Sequence, residues 1–253
     1  MTFYPWPEGE LVMPGQTFLL YHVGTLPAKG TFATPKRRPA QWRDYQSDPV
    51  YTSLQLGTGP PLFGYVPGQA RHRRVVPIVG LVRGEAVSEV IEEKIFRVFY
   101  KPRRSIFIAA TQRSLGMAAT NRLARELENI GPFIAAEIDF ERITSRTKNI
   151  LGVWFRRNSN NRHIHREAAY GDHVNDAREY ERMTREGELT SITAVIEFRG
   201  NILRIRFSKF GSVSFLDDLP PETCLAYLES LLDEQIATIP VPEGGHRAAQ
   251  RRA

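Results

Sequence analysis

Apolar and polar residues alternate most regularly between positions 192 and 236, and this stretch predicts a β-meander capped by a helix. Ile192–Phe198 and Ile202–Ser208 are β-rich runs joined by a turn, and Val213–Leu216 follows as a third run. Two prolines then open a helix whose apolar residues recur on one face, at Leu225, Leu228, Leu232 and Ile236. A meander with a helix on one side leaves the other side of its sheet open.

The alternation within Ile202–Ser208 indicates which side chains face the open side. Successive strand residues point to opposite faces of a sheet, so Leu203, Ile205 and Phe207 are expected beneath the helix. Arg204 and Arg206 then form a stripe of two arginines on the open face.

Residues 1–85 have a different character, with many prolines, glycines and aromatics between short apolar runs. Thr17–Val23 and Leu62–Val66 are the best strand candidates there, and the prolines exclude long helices. Val75–Val82 looks like a buried strand, and its interruption by Pro77 suggests a sheet edge. We therefore predict a small β-rich domain over residues 1–85, with a boundary near Gly84.

Residues 86–240 predict an α+β domain. Ile95–Tyr100 and Ser105–Ala110 form a hairpin, and the helix Met117–Ile130 follows it, an order similar to that of the closing meander. Further elements are expected as strands at Phe133–Phe140 and Ile150–Phe155 and as a mostly polar helix at Asp172–Glu186. The fold class is α+β: a β-rich N-terminal domain, then an antiparallel sheet with helices, closed by the meander and its capping helix. Residues 241–253 predict a disordered basic tail.

The composition narrows the classes of function. The chain of 253 residues has a formal net charge of +6 and a pI near 9.6, which favours anionic partners. Cys224 is the single cysteine, which excludes an intrachain disulfide and a cysteine zinc site, and we expect it to be buried. Neither a signal peptide nor an apolar run of membrane-spanning length is evident, so a cytoplasmic location is expected. No motif calls for a cofactor.

Clustered basic residues are the strongest functional signal. They fall in five groups, all predicted in turns or loops, where arginine can contact phosphates in a bidentate manner. We expect a nucleic-acid partner, DNA rather than RNA and double-stranded, bound with little sequence specificity because no recognition helix is evident. The candidate binding residues are Lys36, Arg37, Arg38, Arg71, Arg73, Arg74, Lys101, Arg103, Arg104, Arg156, Arg157, Arg162 and Arg166, with the strand pair Arg204 and Arg206 and the basic tail as additions.

Aromatic and histidine residues near these groups suggest further contacts. Trp42 and Tyr45 follow the first basic group and could stack on unpaired bases, whereas Trp154 lies within a strand pattern and is expected in the core. The sequence His163-Ile164-His165 matches no known metal-ligand spacing, so this stretch is interpreted as an exposed polar connector that touches phosphate.

Two other functions stay open. A metal-dependent nuclease could use Glu92 and Lys94, with Glu85 or Glu89 upstream and Glu137 and Asp139 as further carboxylates, although a Glu-x-Lys tripeptide is common by chance. The chain could also be a scaffold subunit whose basic surface binds an acidic protein. Phosphate-cradling glycine loops and serine–histidine–acid arrangements are not evident in the sequence.

Three short patches resemble the RexA-like phage-exclusion and anti-phage defence proteins. They are Phe3-Tyr4 at the start, Arg74-Val75 with Leu81-Val82-Arg83-Gly84 and the following Val90, and the turn Ser208–Ser214 before the final helix. The resemblance implies a two-domain, DNA-binding homodimer in the cytoplasm that detects phage nucleic acid or nucleoprotein and signals to a membrane partner. It implies no catalytic residues.

Overall fold

The computed structural model describes residues 16–37, 49–82, 85–157 and 166–238, which form two compact units. The N-terminal unit is Phe18–Glu137 with the described start of Thr238–Ala253, and the C-terminal unit is Ile138–Ala237 with the described end of Met1–Thr17. Both units combine antiparallel strands with helices, so the predicted α+β class is confirmed. Within the described ranges, every helix is too short or too polar to cross a membrane.

The N-terminal unit is built on strands in the order β7-β1-β6-β5-β4-β3-β2, with every neighbouring pair antiparallel. Its first strand coincides with the predicted Thr17–Val23. The elements are β1 (Thr17–Val23), β2 (Gly30–Ala33), β3 (Thr52–Leu56), β4 (Val66–Val82), β5 (Glu85–Lys101), β6 (Ile106–Ala110), α1 (Arg113–Glu126), β7 (Phe133–Ala135) and β8 (Glu137–Ile138).

A long hairpin of β4 and β5, each of 17 residues, dominates this unit. The predicted domain boundary at residue 85 coincides with the first residue of β5, and the described residues on both sides of it lie in the same compact unit. Strand β3 accompanies β4 only as far as His72, and β6 accompanies β5 only from Arg97 onwards. Apart from the hydrogen bond that the Arg73 N–H donates to the Tyr51 carbonyl, the two strands pair only with each other between these limits in the described part of the sheet, as the predicted edge at Pro77 implies.

Helix α1 covers one face of this sheet. Its buried residues Leu115, Ala119 and Leu123 pack with a core that includes Tyr21 and Val98. Gly116 allows this close approach, because a Cβ built there would lie 2.2 Å from a methyl carbon of Leu19. The helix begins four residues earlier than predicted and ends at Glu126, because the backbone turns extended at Leu127.

The C-terminal unit has strands in the order β10-β9-β11-β12-β13, again antiparallel. The predicted strand Phe133–Phe140 is wrong at its end, since the Asp139 side chain accepts hydrogen bonds from two backbone N–H groups and starts a helix there. The elements are α2 (Phe140–Thr144), β9 (Asn149–Arg157), β10 (Arg166–Tyr170), α3 (Arg178–Glu186), β11 (Gly187–Phe198), β12 (Asn201–Ser208), β13 (Ser212–Phe215), α4 (Pro221–Asp233) and β14 (Ala237–Thr238).

Helices α3 and α4 cover one face of this sheet and leave the other open. Tyr227 of α4 packs edge-on against Phe198 and Phe215, and Tyr180 of α3 packs against Phe155. The predicted meander and its capping helix are therefore present, and α4 ends at Asp233, three residues before the last predicted apolar position. Strand β10 was not predicted.

Candidate nucleic-acid interface

Three of the predicted binding residues lie inside strand β4 and not in a loop, which corrects the sequence prediction. Arg71, Arg73 and Arg74 pair with residues of β5 along the long hairpin. Residues opposite each other in antiparallel strands project from the same face. Arg73 therefore shares a face with Glu93, and Arg74 shares the other face with Glu92. The strand pairing holds these arginines on a rigid element.

Two glutamates of β5 are each shared between two cations. The carboxylate of Glu93 lies 3.7 Å from Arg71 and 3.3 Å from Arg73. That of Glu92 lies 2.8 Å from Arg74 and 3.1 Å from Lys94. The hydrogen bonds from these two cations hold the pKa of Glu92 below its ordinary value. The Glu92 carboxylate is therefore ionised at neutral pH, and each of the two glutamates has two positive partners.

A third shared glutamate lies on α1. Glu126 has a largely covered carboxylate within 3.3 Å of Arg122, 3.2 Å of Arg125 and 4.0 Å of Arg37. Arg122 also donates to the backbone carbonyls of Val50 and Arg73, over 3.3 and 3.5 Å. Arg122 thus joins the helix to the strand that carries the other arginines.

We call this arrangement, which occupies both faces of the β4–β5 hairpin and the adjoining part of α1, the basic cluster. Its cations outnumber its carboxylates, and Tyr51 lies beneath two of them, with Lys36 5.6 Å and Arg73 5.7 Å from the ring centroid. The members are Lys36, Arg37, Arg71, Arg73, Arg74, Lys94, Arg122 and Arg125, with Glu92, Glu93 and Glu126. Sequence reasoning missed Arg122 and Arg125, because the helix pattern gave no sign that they meet this strand.

His72, which lies among the β4 arginines, adds no charge to the basic cluster. Its side chain is buried, with 4% of its surface exposed, and its Nδ1 lies 2.7 Å from the Thr52 hydroxyl. Burial, with help from the nearby charges of Arg122 and Arg74, lowers the pKa of His72 to about 4. The imidazole is therefore neutral at physiological pH and acts as a core residue.

The predicted group at Lys101, Arg103 and Arg104 lies apart from the basic cluster. It forms a 3₁₀ turn at Pro102–Arg104, as expected, and the Lys101 ammonium stands 5.1 Å from the Tyr65 ring centroid. Lys101 follows Lys94 by seven positions along β5. This separation corresponds to about 23 Å at the usual strand rise.

Arg156, Arg166, Arg204 and Arg206 lie on strands of the C-terminal unit, although the first two were predicted in a loop. The expected exposure of Arg204 and Arg206 opposite the buried Leu203, Ile205 and Phe207 is confirmed. The register places all four arginines on the open face of the sheet, opposite α3 and α4. Arg157 ends β9.

Two carboxylates bind cations of this open face: Asp217 pairs with one cation, and Glu188 is shared by two. Arg204 donates hydrogen bonds to both carboxylate oxygens of Asp217, from its backbone N–H over 2.8 Å and from its guanidinium over 2.5 Å. The side-chain bond raises the pKa of Arg204. Glu188 binds Lys209 at 2.6 Å and Arg156 at 2.5 Å, and the bond from Lys209 lowers the pKa of Glu188. Arg206 instead lies 4.2 Å from the centroid of the Trp154 ring.

Trp154 is not in the core, which corrects the prediction made from its strand pattern. It is half-buried on the open face and packs edge-on against Tyr170, with ring centroids 5.1 Å apart. Tyr170 is 67% exposed and was missed, because β10 was interpreted as part of a polar connector. The alternation along this strand could have placed Trp154 correctly. Val153 and Phe155 are buried, so Trp154 and Arg156 project from the opposite, open face.

Several predicted positions fall outside the described residues. These are Arg38, Trp42, Tyr45, Arg162, His163, His165 and the basic tail of residues 241–253.

The residues proposed for a nuclease do not converge. Glu92 is held by Arg74 and Lys94, whereas Glu89 pairs with Pro77 and projects from the opposite face of the hairpin. Asp139 caps α2 through its side chain. In the described ranges, His, Cys, Asp and Glu nowhere gather in a group of three or more that could hold a metal ion.

Comparison with known proteins gave no match, either to any family model or to any curated protein.

Proposed function

We propose that this protein binds the phosphate backbone of nucleic acid through the basic cluster of its N-terminal unit. The observation that carries the proposal is the sharing of Glu92, Glu93 and Glu126, each by two or three cations. Shared carboxylates keep the cations in place but cannot neutralise all of them. A phosphate can then replace a carboxylate oxygen as the acceptor of a guanidinium without any change in the strand.

The geometry favours duplex DNA with little sequence specificity. Beyond His72 the long hairpin continues as a two-stranded ribbon, and the major groove of B-form DNA is wide enough to admit such a ribbon. The cations that flank it act through charge and not through a pattern of donors that would read bases. Phosphate contacts position a protein on DNA and carry no sequence information.

The resemblance to RexA-like proteins extends this proposal to phage exclusion. One of the patches that carry the resemblance, from Arg74 to Val82, lies on β4 and begins within the basic cluster. In this interpretation a cytoplasmic homodimer would sense phage DNA through that cluster and signal to a membrane protein.

The test is duplex binding by a variant with Arg71→Gln and Arg74→Gln, measured by fluorescence anisotropy over a range of salt concentrations. Both side chains are more than one third exposed, so the fold should tolerate the change. Each phosphate contact contributes a slope of about −0.9 to the plot of log affinity against log salt. We expect weaker binding and a slope reduced by about 2.

The matched control is the double variant Arg146→Gln and Lys148→Gln in the C-terminal unit. It removes the same charge from side chains that are 51% and 59% exposed. Each of these cations pairs with a single carboxylate, so duplex binding should be nearly unchanged. Equal losses in the two double variants would show that net charge and not the basic cluster determines binding.

Two other outcomes would favour the alternative functions. If the protein degrades DNA in the presence of magnesium and Glu92→Ala abolishes this activity, the protein is a nuclease. If the protein captures an acidic protein in a salt-sensitive manner and binds no nucleic acid, it is a scaffold.

A further inference from the structure

The open face of the C-terminal sheet carries an aromatic surface that the basic cluster does not explain. Tyr170 is 67% exposed at the end of β10, the outermost strand of that sheet. Large aromatic rings are usually covered, because burying one removes a large apolar area from water. An exposed ring on a regular strand therefore needs a reason.

Three observations show that the ring is held in place. Trp154 contacts it edge-on, at a centroid separation of 5.1 Å and an interplanar angle of 86°. The guanidinium of Arg206 lies 4.2 Å from the Trp154 centroid and fixes the other side of that pair. Gly152 pairs with Tyr170 in the register and leaves room for both rings. A Cβ at Gly152 would lie 3.2 Å from a Tyr170 ring carbon and 3.3 Å from a Trp154 ring carbon.

Two cations lie further along the same two strands, four residues from the level of Tyr170 and Gly152. Arg156 pairs in register with Arg166, so both side chains project from the open face. This pair lies two residues along the strands from the pair formed by Trp154 and Ala168. Arg156 is 61% exposed on its side chain and shares Glu188 with Lys209. Arg206 makes no ion pair with a carboxylate in the part of the chain that the structure describes. Its polar contact is the Thr193 hydroxyl, 3.4 Å away.

We propose that Tyr170, supported by Trp154 and Arg206, stacks on an unpaired base of single-stranded nucleic acid. An exposed ring beside arginines suits a strand that offers a flat base and a phosphate at adjacent positions, because aromatic platforms with nearby cations bind such strands. Duplex DNA keeps its base faces within the stack and cannot use the ring. The proposal adds a second site to the proposed function and rests on it for the class of ligand.

The experiment compares two labelled probes of equal length, oligothymidine and an abasic phosphodiester strand, by fluorescence anisotropy at fixed salt. The abasic strand has the same charges and no bases, so the difference in affinity reports stacking alone. Tyr170→Ala should weaken oligothymidine binding roughly tenfold, the scale for loss of one aromatic platform. It should leave the abasic strand unaffected.

Two further variants make the result specific. Gly152→Ala keeps every ring but crowds the Tyr170–Trp154 pair, so it should weaken oligothymidine binding in the same direction. Ile202→Ala removes a side chain that is 65% exposed on the same sheet and has no ring, and it should change neither probe. Unchanged oligothymidine binding by Tyr170→Ala, or an equal loss on the abasic strand, would overturn the stacking proposal.

Measurements of duplex DNA binding distinguish a failure of the stacking site from a failure of the basic cluster. If Tyr170→Ala has no effect while Arg71→Gln with Arg74→Gln still weakens duplex binding, the stacking site alone fails. If the wild-type protein binds neither the duplex nor oligothymidine, both proposals fail.

Discussion

The two units use arginine in different ways. In the basic cluster, arginines from β4 and α1 surround glutamates that each serve two or three cations, and Arg122 reaches into the structure to bind backbone carbonyls. On the open face of the C-terminal sheet, Arg204 has a carboxylate of its own and Arg206 rests on an aromatic ring. The first arrangement accumulates positive charge, and the second positions a ring.

This difference shows that the density of arginines along a sequence does not identify its use. The basic cluster should respond strongly to salt, because its excess charge attracts phosphates through a screened interaction. The open face should respond to the presence of bases, because it presents the exposed ring of Tyr170. The basic cluster also contributes to stability, because Arg122 binds backbone carbonyls of the N-terminal unit. Arg204 on the open face is instead exposed to solvent.

The largest expected effect is a loss of stability when an arginine of the basic cluster that bonds the backbone is removed. Arg122→Leu should lower the free energy of unfolding by about 3 kcal/mol, because it leaves the nearly covered Glu126 carboxylate and two backbone carbonyls without this partner. Urea denaturation followed by circular dichroism measures the change.

Arg204→Leu is the matched comparison on the open face. It also removes an arginine paired with a carboxylate, but this pair is exposed to solvent, with 56% of the Arg204 side chain accessible. Exposed pairs contribute at most about 1 kcal/mol. Similar losses of stability in the two variants would contradict the view that only the N-terminal arginine is built into its fold.

Much of the fold could be predicted from periodicity, and the exceptions have identifiable causes. Thr17–Val23 and the meander were found because apolar alternation is strong there and turns separate the runs. Pro77 and Gly84 resemble breaks, so the sequence predicts a domain boundary within what is one long hairpin in the structure. Pro77 is tolerated in β4 because only β5 pairs with this part of the strand in the described sheet.

The candidate site was only partly predictable, since it depends on pairing between distant strands. The sequence showed that Arg71, Arg73 and Arg74 are adjacent, but it could not show that Glu92 and Glu93 stand opposite them. The apolar neighbours of Trp154 predict a core position for its side chain. Its partner Tyr170 lies sixteen positions further along the chain, on a strand too polar to be recognised.

The next effect concerns His72 and the pH dependence of the N-terminal unit. Its pKa falls from an ordinary 6.5 to about 4 on folding, chiefly through burial, so the unfolded chain binds the proton more tightly. The stabilisation is complete above pH 6.5 and is lost as the pH falls towards 4, by at most about 3 kcal/mol. Thermal melts across this range should show a steep loss of stability.

His72→Asn is the control for that loss. Asparagine keeps a polar atom near the position of Nδ1 and within reach of the Thr52 hydroxyl, but it cannot take up a proton. The variant should melt at nearly the same temperature from pH 6.5 down to pH 5. If the wild-type loss of stability persists in His72→Asn, a group other than His72 causes the pH dependence.

The smallest effect is also the sharpest test of shared carboxylates, because it predicts a gain. Glu93→Gln releases Arg71 and Arg73 from their common partner and removes a negative charge from the basic cluster. Duplex binding should tighten about twofold, which corresponds to the ~0.5 kcal/mol expected for one screened charge several ångströms from a phosphate. Glu197→Gln in the C-terminal unit makes the same change in net charge at a carboxylate that pairs only with Lys148 in the described chain. Because this carboxylate serves a single cation, its removal should leave duplex affinity nearly constant, and an equal gain in both variants would show that the position of Glu93 has no special importance.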